Sequence, residues 1–115
     1  MERNTVKESL KKGSSVLGTS LTDCRDPEFA TLLHAAGLDF FFVDMEHSPT
    51  TYSEIQGLCR AARAAGILPM VRVPQNESFL ITRALDVGAM GLVVPRVHSP
   101  AEARSAVDYM KYIPV

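Results

Sequence analysis

The sequence predicts an α/β fold in which four strand–helix units follow one another with their strands parallel. Three features lead there. Short apolar runs recur at residues 15–19, 40–43, 68–73 and 91–94, and helical patterns fill the gaps between them. The second to fourth runs are nearly continuous in apolar residues, the pattern of parallel strands covered on both faces. Each gap leaves room for one helix and short loops, which calls for parallel pairing with right-handed crossovers.

The helix ends are readable in order. An opening helix spans roughly residues 5–12 and stops at Gly13. Asp26 and Pro27 start the next helix, Phe29, Leu32, Leu33 and Ala36 share one of its faces, and Gly37 closes it. Thr51-Tyr52-Ser53-Glu54 fits a capping box, followed by Ile55, Leu58, Cys59, Ala62 and Ala65 at helical spacing and then Gly66. Asn76 is expected to cap a helix carrying Ile81, Ala84 and Leu85 and ending at Gly88. Ser99-Pro100-Ala101-Glu102 is a second capping box, leading to Ala103, Ala106, Val107 and Met110.

Two architectures accommodate this order: an open doubly wound sheet, or a section of a (β/α)₈ barrel. No Gly-x-Gly-x-x-Gly follows the first strand, which weakens the dinucleotide-binding version. A whole barrel takes about 250 residues. The chain has 115. Residues 1–115 therefore read as a single portion of a larger barrel, cut after the fourth βα unit at Tyr112-Ile113-Pro114-Val115.

Composition narrows the function classes. Hydrophobic residues make up 46% and charged residues 22%, near the average for a folded domain. The formal net charge of −1 supplies no basic field for nucleic acid and no polybasic patch for anionic lipid. No apolar run approaches the roughly 18–20 residues of a membrane span, and the polar start Met1-Glu2-Arg3-Asn4 is no secretory leader. Cys24 and Cys59 fit no disulfide or zinc spacing, so two reduced thiols in a cytoplasmic protein are expected.

In parallel α/β folds, ligands bind beyond the C-terminal ends of the strands. The polar residues of interest fall there. Asp44, Glu46 and His47 follow the second strand, Arg72 ends the third, and Pro95, Arg96 and His98 follow the fourth. His47 is a candidate general base, since an imidazole titrates near neutrality. Arg72 sits in an otherwise apolar strand, where a guanidinium needs a carboxylate, a ligand or solvent. It suits a substrate carboxylate or a developing enolate oxygen, with an ion pair to a neighbouring acid such as Asp44 as the lesser alternative. Asp86 ends a helix, an unfavourable place for an anion against the helix dipole. A role in orienting His47 is one reason for it to be there. Arg96 and His98 are weaker candidates for lining the rim.

Four segments then converge on a family. They are Phe42-Val43-Asp44-Met45-Glu46-His47-Ser48-Pro49, Met70-Val71-Arg72-Val73-Pro74, the stretch from Leu85-Asp86-Val87-Gly88-Ala89 to Pro95, and Ala101-Glu102-Ala103 with Lys111-Tyr112-Ile113-Pro114. In order and spacing they resemble the HpcH/HpaI family of metal-dependent pyruvate aldolases, across residues 4–115. Ile113 stands where the family usually has the first proline of a pair.

The resemblance implies the first half of a TIM (β/α)₈ barrel of the phosphoenolpyruvate/pyruvate type. It implies a lyase that reversibly cleaves a 4-hydroxy-2-oxo acid, such as a 2-keto-3-deoxy sugar acid, to pyruvate and an aldehyde. Arg72 would stabilise the enolate oxygen. His47, held by Asp86, would move the proton, and Asp44, Glu46 and Pro95 would shape the site. A divalent ion, Mg²⁺ or Mn²⁺ or similar, would be held by a Glu and an Asp expected beyond residue 115, with no metal ligand in this chain. A homo-oligomer acting on a small 2-oxo acid is expected, with no nucleic-acid or membrane partner. Two other readings stand beside it: a non-catalytic half-barrel that self-associates or serves as a partner subunit, and a lyase of the same barrel class acting on an acyl-CoA thioester. The second lacks a basic groove for the nucleotide.

Overall fold

The computed structural model describes residues 3–111. It contains helix α1 (Thr5–Lys11) and then four alternating pairs: β1 (Gly18–Leu21) and α2 (Glu28–Ala35), β2 (Phe40–Asp44) and α3 (Tyr52–Ala65), β3 (Leu68–Arg72) and α4 (Ser78–Asp86), β4 (Gly91–Val93) and α5 (Pro100–Met110). The expected four βα units are present. The motif segment at Tyr112-Ile113-Pro114 lies outside the described residues.

The four strands form one parallel sheet in the order β1-β2-β3-β4. Each strand lies beside its predecessor, so crossovers of one hand place all the helices on one face. A doubly wound sheet would reverse its strand order partway along. The core agrees with a single helical layer. Phe41, Val43, Val71 and Val73 from the sheet pack in one cluster with Ala30 of α2, Ile55 and Leu58 of α3, Ile81 and Ala84 of α4, and Ala106 of α5.

The register separates the two faces. Phe41 pairs with Thr19 and Pro69, and Val43 with Leu21 and Val71, toward the helices. Phe40, Phe42 and Met70 alternate with them and are only half-buried on the opposite, inner face. Continuous apolar strands predicted cover on both faces; four strands alone leave the inner one partly open. That face is close-packed where it can be. A Cβ at Gly18 would lie 2.3 Å from the Phe40 ring, and one at Gly91 would lie 3.0 Å from Met70 Cε. Both glycines are therefore places where a neighbouring strand's side chain needs the space.

Several ends differ from the sequence reading. The first strand begins at Gly18 rather than at residue 15. The Thr51–Glu54 capping box forms in full, with Thr51 Oγ1 accepting from the Glu54 amide and Glu54 Oε1 accepting from the Thr51 amide. The Ser99 box forms by half: Ser99 Oγ accepts from the Glu102 amide at 3.1 Å, but Glu102 Oε2 turns to the His98 amide at 2.8 Å. Asn76 does not cap α4. Its N-cap position is Glu77, with no side-chain bond, and Asn76 Nδ2 instead donates to the Glu102 carbonyl at 3.0 Å, tying the β3–α4 loop to α5. Cys24 and Cys59 are both free thiols, and burial pushes the Cys59 thiol up to about 11 despite nearby Arg63. Among the described residues no helix is long and apolar enough to cross a membrane.

Phe41 is fully buried at the centre of the helix–sheet core. Phe41→Ala in the intact protein is expected to cost about 3–5 kcal/mol, through lost burial and the cavity left behind. Urea unfolding monitored by circular dichroism checks this, and a loss below about 1 kcal/mol would contradict the assigned core.

Candidate active site

β2 and β3 end side by side, with Asp44 paired to Arg72 in the register. Asp44 points up from the last position of its strand and is 2% exposed. A buried carboxylate must be fully partnered, and this one is. Oδ1 accepts from Arg72 Nε at 3.1 Å, and Oδ2 accepts from Arg72 Nη2 in a close contact, a two-pronged pairing. Oδ1 also accepts from the backbone amides of Glu46 at 2.9 Å and His47 at 3.0 Å. The Arg72 guanidinium holds the Asp44 carboxyl at about 2, aided by the two amides and opposed by burial. Arg72 is pushed up in turn, mainly by its bond to Asp44. The Arg72 guanidinium also lies 5.4 Å from the centroid of the Phe42 ring on the inner face.

The two amide bonds fold the β2–α3 loop around Asp44 and bring Glu46 and His47 over the strand ends. Ser48 Oγ donates to the Asp44 carbonyl and lies 2.8 Å from Thr50 Oγ1, which closes the loop from beneath. Glu46 is then the hub of the rim. Its Oε1 lies 3.0 Å from His47 Nε2 and 3.7 Å from Arg72 Nε, and its Oε2 lies 3.4 Å from Arg96 Nε. Arg96 reaches this point from beyond β4, with a left-handed backbone at φ 57°.

The structure thus brings together Asp44, Glu46, His47, Arg72 and Arg96, drawn from three consecutive strand ends. Pro95 lies just beyond β4, immediately before Arg96. Asp86 does not join them. It is the last residue of α4, which runs back from the end of β3 to the start of β4, and so lies at the opposite end of the sheet. There it lines a cavity of about 240 Å³ with Thr82, Leu85, Tyr109, Met110 and Lys111. Within one chain Asp86 cannot orient His47; the carboxylate beside the imidazole is Glu46. Adjacency in the motif was the available signal for that role. The reach of Arg96 across β3 to Glu46 has no local sequence signal, because it depends on how the strands pair.

The described residues do not form the metal site that the family resemblance implies. No three His, Cys, Asp or Glu side chains among them converge on one point. Asp44 directs both oxygens to Arg72, and Glu46 is ringed by cationic and imidazole groups.

Comparison with known proteins gives this geometry a context. The family model described as HpcH/HpaI aldolase/citrate lyase matches residues 22–115. A 2-dehydro-3,6-dideoxy-6-sulfogluconate aldolase of Pseudomonas putida is 39% identical over 106 residues, which cover 92% of this chain and 41% of that protein. A hydroxypyruvate/pyruvate aldolase of Roseovarius nubinhibens is 37% identical over 111 residues, 96% of this chain and 43% of that protein. Among solved structures, the HpcH/HpaI aldolase of Desulfitobacterium hafniense matches with a TM-score of 0.90 at 39% identity, over 95% of this chain and 42% of that one. Such neighbours are TIM-barrel proteins, of which this chain covers part. The chain spans about two fifths of the length of the curated relatives it matches.

The Asp44–Arg72 pair has a pH signature. Asp44 lies at about 2 in the folded chain against an ordinary value of 3.8. Its pKa is depressed on folding, so its stabilisation is present above pH 4 and is lost as pH falls from about 4 toward 2. The loss expected over that window is about 2 kcal/mol, moderated because Arg72 is partly open to solvent. Asp44→Asn should flatten this part of the stability–pH curve and also lower stability at pH 7. Urea midpoints measured from pH 5 to pH 2 check it; parallel curves for the two proteins would contradict the pairing.

Proposed function

This chain belongs to the HpcH/HpaI aldolase/citrate lyase family, and from that premise we propose that the intact protein cleaves a 4-hydroxy-2-oxo acid to pyruvate and an aldehyde. The observation that carries the proposal is the shared mouth. An imidazole at position 47 and a guanidinium at position 72 both touch Glu46 Oε1, so one small molecule can reach both.

The chain's residues divide the work as follows. Asp44 grips Arg72 by two donors and fixes the plane of the guanidinium. A fork held in this way, charged at every working pH, is preorganised for an oxyanion of the 2-oxo acid. Glu46 beside His47 Nε2 favours the imidazole tautomer protonated there, which leaves the Nδ1 lone pair to accept a proton. In the cleavage direction His47 takes the proton of the C4 hydroxyl. The C3–C4 bond breaks as the C4 carbonyl forms, and its electron pair passes into the C2–C3 enolate. Arg72 bears the negative charge gathering on the C2 oxygen. The proton then returns to C3, giving pyruvate.

The divalent ion expected from the family resemblance belongs to the intact protein, held by residues outside this chain. Substrates of the class 2-keto-3-deoxy sugar acids suit the reading. Pro95, before the left-handed Arg96, helps set the path of the chain at the mouth.

Intact protein supplied with a 4-hydroxy-2-oxo acid and Mg²⁺ or Mn²⁺ is expected to release pyruvate in a lactate dehydrogenase-coupled assay. Excess chelator should abolish the release, and equal rates in chelator would reject the metal dependence. His47→Ala is expected to lower kcat by about a hundredfold or more, the scale of general acid–base catalysis. A near-normal rate would reject His47 as the base.

A further inference from the structure

Arg96 stands apart from the rest of the rim. It is the one non-glycine among the described residues with a positive φ, at 57°. Glycine or asparagine would adopt that backbone at lower cost, and strain kept at a site is a pointer to use. The side chain crosses from beyond β4 to the end of β2, passing over β3, and its Nε lies 3.4 Å from Glu46 Oε2. Its side chain is 68% exposed, against 27% for Arg72. The two guanidiniums are therefore differently committed. Arg72 is locked by both prongs onto Asp44. Arg96 is ion-paired with Glu46 alone, and its guanidinium makes no hydrogen bond to a carboxylate among the described residues. Both arginines touch the same glutamate, on different oxygens, so Arg96 lies within a small molecule's length of the Arg72 position.

We propose that Arg96 is a specificity-determining residue: it binds an oxyanion on the far, aldehyde-derived half of the substrate, so the protein prefers anionic aldehydes over neutral ones. The proposal rests on the aldolase reading above. Arg72 serves the pyruvate half. Arg96, farther out and with unpaired N–H donors, meets the other end. A carboxylate or a phosphate on the aldehyde presents the same chemistry to a guanidinium.

The test uses the intact protein with its divalent ion, in the addition direction, with saturating pyruvate. Two pairs of aldehydes separate charge from shape: succinic semialdehyde against butanal for a carboxylate, and glyceraldehyde 3-phosphate against glyceraldehyde for a phosphate. In the wild type, kcat/KM for at least one anionic member should exceed that of its neutral partner by roughly tenfold or more, the scale of a charge-assisted hydrogen bond. Whichever pair shows the preference identifies the anion. Arg96→Met and Arg96→Gly should each collapse that ratio toward one, chiefly through KM. Arg96→Lys should keep part of it. Arg96→Gly should also leave the thermal midpoint equal or higher, because the left-handed backbone suits glycine. A binding arm needs no turnover: calorimetric titration with succinate should give about tenfold weaker affinity for Arg96→Met than for wild type. Equal ratios in wild type and variants, equal falls for both members of each pair, or unchanged succinate affinity would overturn the assignment and leave Arg96 as a counter-ion of Glu46. Failure of the wild type to add pyruvate to any aldehyde would instead overturn the aldolase reading, and this inference with it.

Discussion

The two-pronged bond between Asp44 and Arg72 is the constraint on which the rest of the site depends. It joins the ends of β2 and β3 at the point where the sheet stops and the loops begin. A guanidinium at the end of an apolar strand is costly without a partner, and so is a carboxylate that is 2% exposed. Each is tolerable only because the other is there. The same carboxylate collects the amides of Glu46 and His47, so the pair also dictates the course of the β2–α3 loop. The imidazole and Glu46 are over the mouth because Asp44 pulls their backbone inward. The pairing both satisfies Arg72 electrostatically and fixes the direction of its guanidinium.

Two physical layers support this mouth. On the helix side, Phe41, Val43, Val71 and Val73 are anchored in a core shared by α2, α3, α4 and α5, which keeps the strand ends in register. On the inner side, Phe40 leans over Gly18 and Met70 over Gly91, filling space between strands that a side chain would otherwise claim. The charged groups sit at the strand ends, where they pair with each other at the rim. Beneath them the inner face is apolar as far as Phe40 and Leu68.

Much of this was legible in the sequence, for identifiable reasons. The periods of the apolar residues are local, and so are the caps at Thr51 and Ser99; the four βα units and their order follow from them. Asp44, Glu46, His47 and Arg72 were visible because strand-end positions in a parallel fold converge whatever the details of packing. Within one chain, topology separates Asp86 from His47. A helix that returns to the start of the next strand must end on the far side of the sheet, and a carboxylate at its last residue goes with it. Its place at a helix end and the family resemblance suggested the role, and neither tells which end of the sheet that helix reaches. The residue type of Asn76 favours a cap, but a carbonyl of α5 lies within reach and takes its amide instead. The bridge from Arg96 to Glu46 depends on sheet register, which no local pattern encodes.

On the proposed function, one mouth bounded by Arg72, His47 and Glu46 receives the 2-oxo acid. The most direct measurement is a crystal structure of the intact protein with oxalate, a stable mimic of the pyruvate enolate. An oxalate oxygen is expected within hydrogen-bond distance of the Arg72 guanidinium, on the side of the sheet where His47 and Glu46 stand. Oxalate bound instead among α4 and α5 beside Asp86, or elsewhere with Arg72 untouched, would contradict it.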